Sequence, residues 1–136
     1  MSKTFVIIKP DAVAAGLVGD ILGRYERAGL RIEALQLRQI DGSFADHHYV
    51  EHIEKDFYPP LRKFMISGPL VAAILSGDQA IEKVREINGA TDPAQADPGT
   101  IRADHATSVR ENCVHGSDSE KTAEREIALW FPELTG

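Results

Sequence analysis

The chain has 136 residues, enough to bury a core without metals or disulfides, and its length predicts one domain spanning 1–136. With 21 acidic residues against 15 basic ones it carries a formal charge of −6, which disfavours general binding to nucleic acid or anionic membrane and still allows a local basic pocket. One cysteine, Cys113, excludes an intrachain disulfide and suits a reducing cytoplasm, and no stretch approaches the ~20 apolar residues of a membrane helix.

In chain order, Phe5-Val6-Ile7-Ile8 is a short apolar run closed by Lys9-Pro10-Asp11, which predicts a buried strand. Val18, Ile21, Leu22 and Tyr25 mark one face of a helix from Val18 to Ala28, with Gly29 as its stop. Leu30 to Ile40 predicts a second strand. Its parity is mixed, Ile32 and Ala34 against Leu35 and Leu37, as a bulge or burial of both faces would produce. Ser43 to Ile53 and Pro59 to Ile66 predict helices, with Ser43 or Asp46 as a cap. Leu70 to Leu75 is the strongest buried strand. A helix follows, capped by Asp78, with Ile81, Val84 and Ile87 inward and Gly89 as its stop. Ala90 to Glu111 shows nothing regular and contains Pro93, Pro98 and Gly99; loops of roughly twenty residues are uncommon in compact domains and often functional. Cys113-Val114 predicts a short strand leading to His115. Ser117-Asp118-Ser119-Glu120 then matches a capping box for a last helix with Ala123, Ile127 and Phe131 inward. The order fits an α/β or α+β sandwich on one sheet.

The chain has neither a P-loop nor a G-x-G-x-x-G stretch, so phosphate binding must use other groups. Lys9 follows a buried strand, Arg85 rides a helix and Arg102 lies in the long irregular segment; three cations at element ends could converge on a polyphosphate. The ordinary reading of each is a solvated surface charge. His115 could act as a covalent nucleophile if a neighbour fixed its tautomer and left one ring nitrogen free, and Glu126 on the following helix could supply that carboxylate. The ordinary reading is a histidine satisfied by backbone at a strand end. His48-Tyr49-Val50-Glu51-His52 fits H-x-x-E-H, so a zinc hydrolase, with Glu120, Glu124 or Glu126 as a further ligand, is formally open. Against it stands a helix whose His47, His48 and His52 lie on a solvated polar face. Phe57 and Tyr58 precede Pro59-Pro60 at a loop tip, where a ring could stack on a base or pack on the core. Cys113 reads as a small buried apolar residue.

Four stretches, "VIIKPDAV" (6–13), "SGPLVA" (67–72), "DPGTIR" (97–102) and "NCVHGSDS" (112–119), resemble those of nucleoside diphosphate kinases, in one register over nearly the whole chain. The resemblance implies a ferredoxin-like βαββαβ sandwich with a four-stranded antiparallel sheet. It also implies transfer of the γ-phosphate of a nucleoside triphosphate to a nucleoside diphosphate, by ping-pong through a phosphohistidine. Carried over residue by residue, His115 is the nucleophile, and Glu126 and Ser117 orient its ring. Lys9, Tyr49, Arg85, Thr91, Arg102 and Asn112 hold phosphates and ribose. Phe57 stacks on the base, with Leu61 and Val109 on its other side. Mg2+ comes in with the nucleotide, without a dedicated protein ligand, and the chain is expected to form a homo-oligomer, a tetramer or hexamer built from dimers. Three places depart from the family pattern. Lys55-Asp56 replaces a common arginine-proline, Ala103 and His105 replace a glycine and an aromatic, and the chain ends at Gly136 without the tail of longer members. The Lys55-Asp56 departure keeps a catalytically silent nucleotide-binding oligomer in view as the alternative.

Overall fold

The computed structural model describes residues 2–134. Four strands form one sheet in the order β2-β3-β1-β4: β1 is Ser2–Ile8, β2 Arg31–Arg38, β3 Leu70–Gly77 and β4 Val114–Gly116. Each neighbouring pair runs antiparallel. Helices join and cover the strands: α1 (Pro10–Ala14), α2 (Val18–Arg27), α3 (Gly42–His48), α4 (Tyr58–Met65), α5 (Ala80–Asn88), α6 (Ile101–His105) and α7 (Glu120–Trp130). The architecture is the ferredoxin-like α+β sandwich.

Side-chain parity divides the core in two. Val6, Ile8, Val71, Ala73 and Leu75 face Ile21 and Tyr25 of α2 and Val84 of α5. Phe5, Ile7, Leu70, Ala72 and Ile74 face Ala45, Tyr58, Met65, Trp130 and Phe131 on the other side. With helices on both faces, the two central strands have no solvent side, which is why β1 and β3 read as unbroken apolar runs. The edge strand β2 instead alternates exposed and half-buried, and a bulge between Ile32 and Ala34 accounts for its mixed parity.

Several ends differ from the sequence-based expectation. The cap of α3 is Asp41, whose Oδ1 accepts the Phe44 N–H at 2.8 Å, and neither Ser43 nor Asp46. Asp46 instead fixes α3 on α4, accepting from the Tyr58 hydroxyl at 2.6 Å and from Arg62 Nε at 2.9 Å. The helix stops at His48 rather than Ile53, and turns lead from there to α4. Asp78 does not cap α5. Gln79 sits before it in the left-handed region, and Ser2 Oγ accepts the Ala80 N–H at 2.9 Å. The cap of α7 is Ser119, which accepts from Thr122 N at 3.1 Å, so the S-x-x-E box starting at Ser117 is not formed. Two five-residue helices, α1 and α6, and a 3-10 turn over Pro93–Gln95 stand where no regular structure is expected; Thr100 caps α6 by accepting from Ala103 N at 3.2 Å.

Candidate active site

β4 is short and lies at a sheet edge, and its pairing sets the site. His115 lies opposite Ile7, so its ring shares a face with Phe5 and Ile7 and points to the side covered by α3 and α7. The chain reaches β4 through Cys113, a non-glycine residue at φ 74°, held by the bond from Lys9 N to Cys113 O at 2.8 Å and from Cys113 N to Asp11 Oδ2 at 3.1 Å. That bend brings Lys9, at the end of β1, beside the start of β4. After His115, Gly116 lies under α5: a Cβ there would come within 2.9 Å of Val84 Cγ1 and 3.1 Å of Asn88 Nδ2, so glycine is what allows the helix to sit so close.

His115 Nε2 lies 3.0 Å from Glu126 Oε1 and 3.1 Å from Oε2. The Glu126 side chain is buried, and its pairing with the ring makes Nε2 the donor nitrogen. The Ser117 hydroxyl donates to Oε1 at 2.6 Å. Burial alone would raise the Glu126 pKa, yet the hydrogen bonds and charge of its neighbours hold it below the usual carboxylate range. The carboxylate is therefore ionised and clamps one ring nitrogen, which leaves Nδ1 as the basic, nucleophilic atom.

A cleft of about 580 Å³ opens over the ring, lined by Lys9, Tyr49, Arg85, Thr91, Arg102, Asn112, His115 and Glu126 among others. Lys9 Nζ donates to Asn112 Oδ1 at 2.8 Å, and burial, with Arg102 nearby, lowers its pKa to about 8. Asn112 is a hub: both amide N–H groups are occupied, by Thr91 O at 3.2 Å and Val109 O at 2.9 Å. Arg102 is pinned by its carbonyl partners, Gly89 O at 2.7 Å, Val114 O at 2.6 Å and Asn112 O at 3.3 Å, so three of its five N–H groups stitch α5, α6 and β4 together and two are left for a ligand. Arg85 is exposed at the rim, with one bond to Asp118 O at 3.4 Å. Tyr49 is buried, and burial followed by the Glu126 charge raises its hydroxyl pKa, so it stays protonated.

The residues expected to meet the base, Phe57, Leu61 and Val109, do not line this cleft. Phe57 is 50 % exposed and Val109 56 % exposed, while Leu61 is half-buried against the core beneath. Lys55 Nζ stands 5.8 Å over the Phe57 ring, so the Lys55-Asp56 departure still places a cation beside it. The other departure, His105, ties α6 to α2 through Asp20 Oδ2 at 3.1 Å, alongside an Arg24–Asp104 pair at 2.9 Å.

H-x-x-E-H does not form a metal site. His52 lies in the turns beyond α3, so the two histidines do not share a helix face. His48 is not on a solvated face: it is 4 % exposed and packs edge-on against His115, with ring centroids 5.1 Å apart. His52 also keeps Nδ1 buried, and only His47 of the three is exposed. Sequence reasoning did not place His48 in this cleft, nor Trp130 behind it. The available signal was the spacing of Ala45, His48 and Tyr49 at i, i+3 and i+4, one helical face.

A histidine gripped through one nitrogen and left basic at the other, in a cleft lined by a lysine and two arginines, is equipped to take up a phosphoryl group. The nucleoside diphosphate kinase family model matches residues 2–135, and the chain belongs to that family. A nucleoside diphosphate kinase of a Nocardioides species is 59% identical over 132 residues, covering 97% of this chain and 98% of the relative. One from Thermus thermophilus is 54% identical over 131 residues, covering 96% of each. Among solved structures, the nucleoside diphosphate kinase of Aquifex aeolicus superposes with a TM-score of 0.95 at 41% identity, covering 98% of this chain and 96% of that one. The chain therefore acts on nucleotides, as a kinase of the kind that uses a divalent metal. Among the described residues no helix is long and apolar enough to cross a membrane.

Proposed function

We propose that the chain moves the γ-phosphate of a nucleoside triphosphate onto His115 and from there to a nucleoside diphosphate. The observation that carries this is the pairing of His115 Nε2 with a buried carboxylate at 3.0 and 3.1 Å. In the first half-reaction the Nδ1 lone pair forms a bond to the γ-phosphorus. The bond from that phosphorus to the β–γ bridging oxygen breaks, and the diphosphate leaves with the electron pair. The ring gains positive charge, which Glu126, itself held by Ser117, stabilises through Nε2–H. The second half-reaction is the reverse with a new diphosphate, so one cleft serves donor and acceptor in turn.

Phosphoryl transfer asks mainly for positioning and for cations around the charge that spreads over the phosphate oxygens. Lys9, Arg85 and Arg102 supply the cations; Tyr49 and Thr91 line the path of the phosphates and ribose, and Asn112 acts through the ammonium it holds. Phe57 stacks on the base, with Leu61 and Val109 beside it, and stacking accepts any base because each has a π-face. Mg2+ arrives as part of the nucleotide substrate, on phosphate oxygens. The one buried carboxylate among the described residues, Glu126, is occupied by His115 and Ser117 and is not a magnesium ligand.

Residues 1–136 act as one domain, in a cytoplasmic setting that a lone cysteine suits. The chain works as a homo-oligomer, a tetramer or hexamer built from dimers; Leu35 and Leu37, exposed on the edge strand β2, support an association there. Mixing the protein with γ-labelled ATP and magnesium, without acceptor, should place acid-labile, base-stable label on the chain, and any nucleoside diphosphate should remove it. A His115→Gln protein that took up label at the normal rate would overturn the assignment.

A further inference from the structure

His48 has no part in the scheme above, yet it is buried against its centre. Both ring nitrogens have defined surroundings. Trp130 Nε1, which can only donate, lies 3.0 Å from His48 Nδ1, so Nδ1 is the unprotonated acceptor and a neutral ring carries its proton on Nε2. That N–H faces Glu126 Oε2 at 3.7 Å, the oxygen that His115 Nε2 reaches at 3.1 Å. The separation is longer than a hydrogen bond, but inside a protein a dipole aimed at a carboxylate is strongly felt. The opposite tautomer would aim a lone pair at the same oxygen. Burial and the neighbouring His115 push the His48 pKa down to about 3, with Arg125 and Lys9 acting in the same direction and Glu126 against, so the ring is neutral. The Arg125 guanidinium also holds the end of α3 in place, donating from Nη2 to His48 O at 2.7 Å.

This geometry also decides a competing role. Donor atoms of His48, His115 and Glu126 lie within 4.8 Å of one another, as a metal trio would. His48 cannot join such a trio while Nδ1 accepts the indole N–H and Nε2 bears the proton.

We propose that Trp130 and His48 form a positioning pair: the indole fixes the His48 tautomer, and the His48 Nε2–H together with its ring edge holds Glu126 and His115 in register for attack. The inference rests on His115 being the nucleophile, and the test separates the two.

Histidine 15N chemical shifts of the unaltered protein should show His48 protonated at Nε2 alone; protonation at Nδ1 would overturn the proposal, whatever any variant does. Single-turnover uptake of label from γ-labelled ATP is then compared among variants. His48→Phe keeps the ring and removes the donor, and should slow labelling by roughly 10- to 100-fold, since misplacing a reacting group by an ångström costs up to that much. Its ADP affinity should stay within about twofold, the signature of an interaction made only in the transition state. His48→Gln, whose amide can place an N–H near Glu126, should recover most of the rate, and Trp130→Phe should slow labelling while the His48 tautomers mix. Normal labelling in His48→Phe, no recovery in His48→Gln, or ADP affinity falling in step with the rate would each overturn the pair. Failure of the unaltered protein to take up label would overturn His115 as nucleophile instead.

Discussion

Two regions of the molecule, the histidine cleft and the exposed surface around Phe57, are built on different principles. At the histidine end Ser117, Glu126, Asn112, Lys9 and Arg102 are all buried, and each is tied to specific partners at 2.6 to 3.3 Å. At the surface proposed to meet the base, Phe57 and Val109 are half-exposed, and Phe57 offers a flat face. Under the proposed function, the difference follows from what each region must recognise. Transfer to a ring nitrogen needs its lone pair aimed within a narrow cone, which only a packed, hydrogen-bonded scaffold maintains. A base of variable identity needs a π-face and tolerance in the plane, which a tightly paired site would deny.

Removing a partner from the packed end should have the largest effect. Glu126→Ala leaves His115 free to rotate and to swap tautomers, and phosphoenzyme formation in single turnover should fall by about 10²-fold or more, with ADP affinity little changed. A drop seen only in affinity would mean that Glu126 belongs to binding and that the two ends are not divided as described. The open end should respond differently: Phe57→Ala should weaken nucleotide binding by ~1–3 kcal/mol, by a similar amount for purine and pyrimidine diphosphates. Titration calorimetry against both classes checks this, and a wide gap between them would show that hydrogen bonding reads the base. Folding stability should barely move, because the ring is exposed.

Crowding the packed end probes its rigidity without touching a charge. Gly116→Ala pushes a methyl toward Val84 and Asn88, and overpacking of this kind costs about 1–3 kcal/mol, readable as a lower Tm. The smallest effect concerns Lys9, whose pKa is lowered to about 8 by burial and Arg102. In the free protein it loses its charge as pH rises through about 8, so kcat/KM should decline there. For stability the sign is opposite: the fold binds fewer protons than the unfolded chain between pH 8 and the ordinary lysine value of 10.5, so this group's contribution rises with pH across that window. A pH profile of kcat/KM that stays flat past 9 would show that Lys9 is not the phosphate's cation.

What the sequence could and could not disclose has the same physical division. β1 and β3 were legible because both faces are buried, which leaves an unbroken apolar signature. Helices α1 and α6 were not, since five residues are too few to display a 3.6-residue period. The caps misled for a related reason. The expected box starts at Ser117, but the helix begins at Glu120 with Ser119 as its cap, while Ser117 is tied to Phe5 O by its backbone and to Glu126 by its hydroxyl. The first N–H of α5 finds its acceptor on Ser2, 78 residues away, which no local pattern encodes. Lys9, Arg102 and His115 stand within the motifs themselves, whereas Glu126 and Arg85 were singled out from their places on helices and from the register of the whole chain. His48 was missed because its burial depends on Trp130, 82 residues later, and a histidine at the end of a short helix reads locally as solvated.

The central claim is that His115 is held through Nε2 and reacts through Nδ1. The direct test is 31P and 15N NMR of the phosphorylated protein carrying 15N-labelled histidine. The account predicts one phosphohistidine, with phosphorus coupled to Nδ1 of residue 115 and a proton retained on Nε2; phosphorus bound at Nε2, or on another histidine, would contradict it.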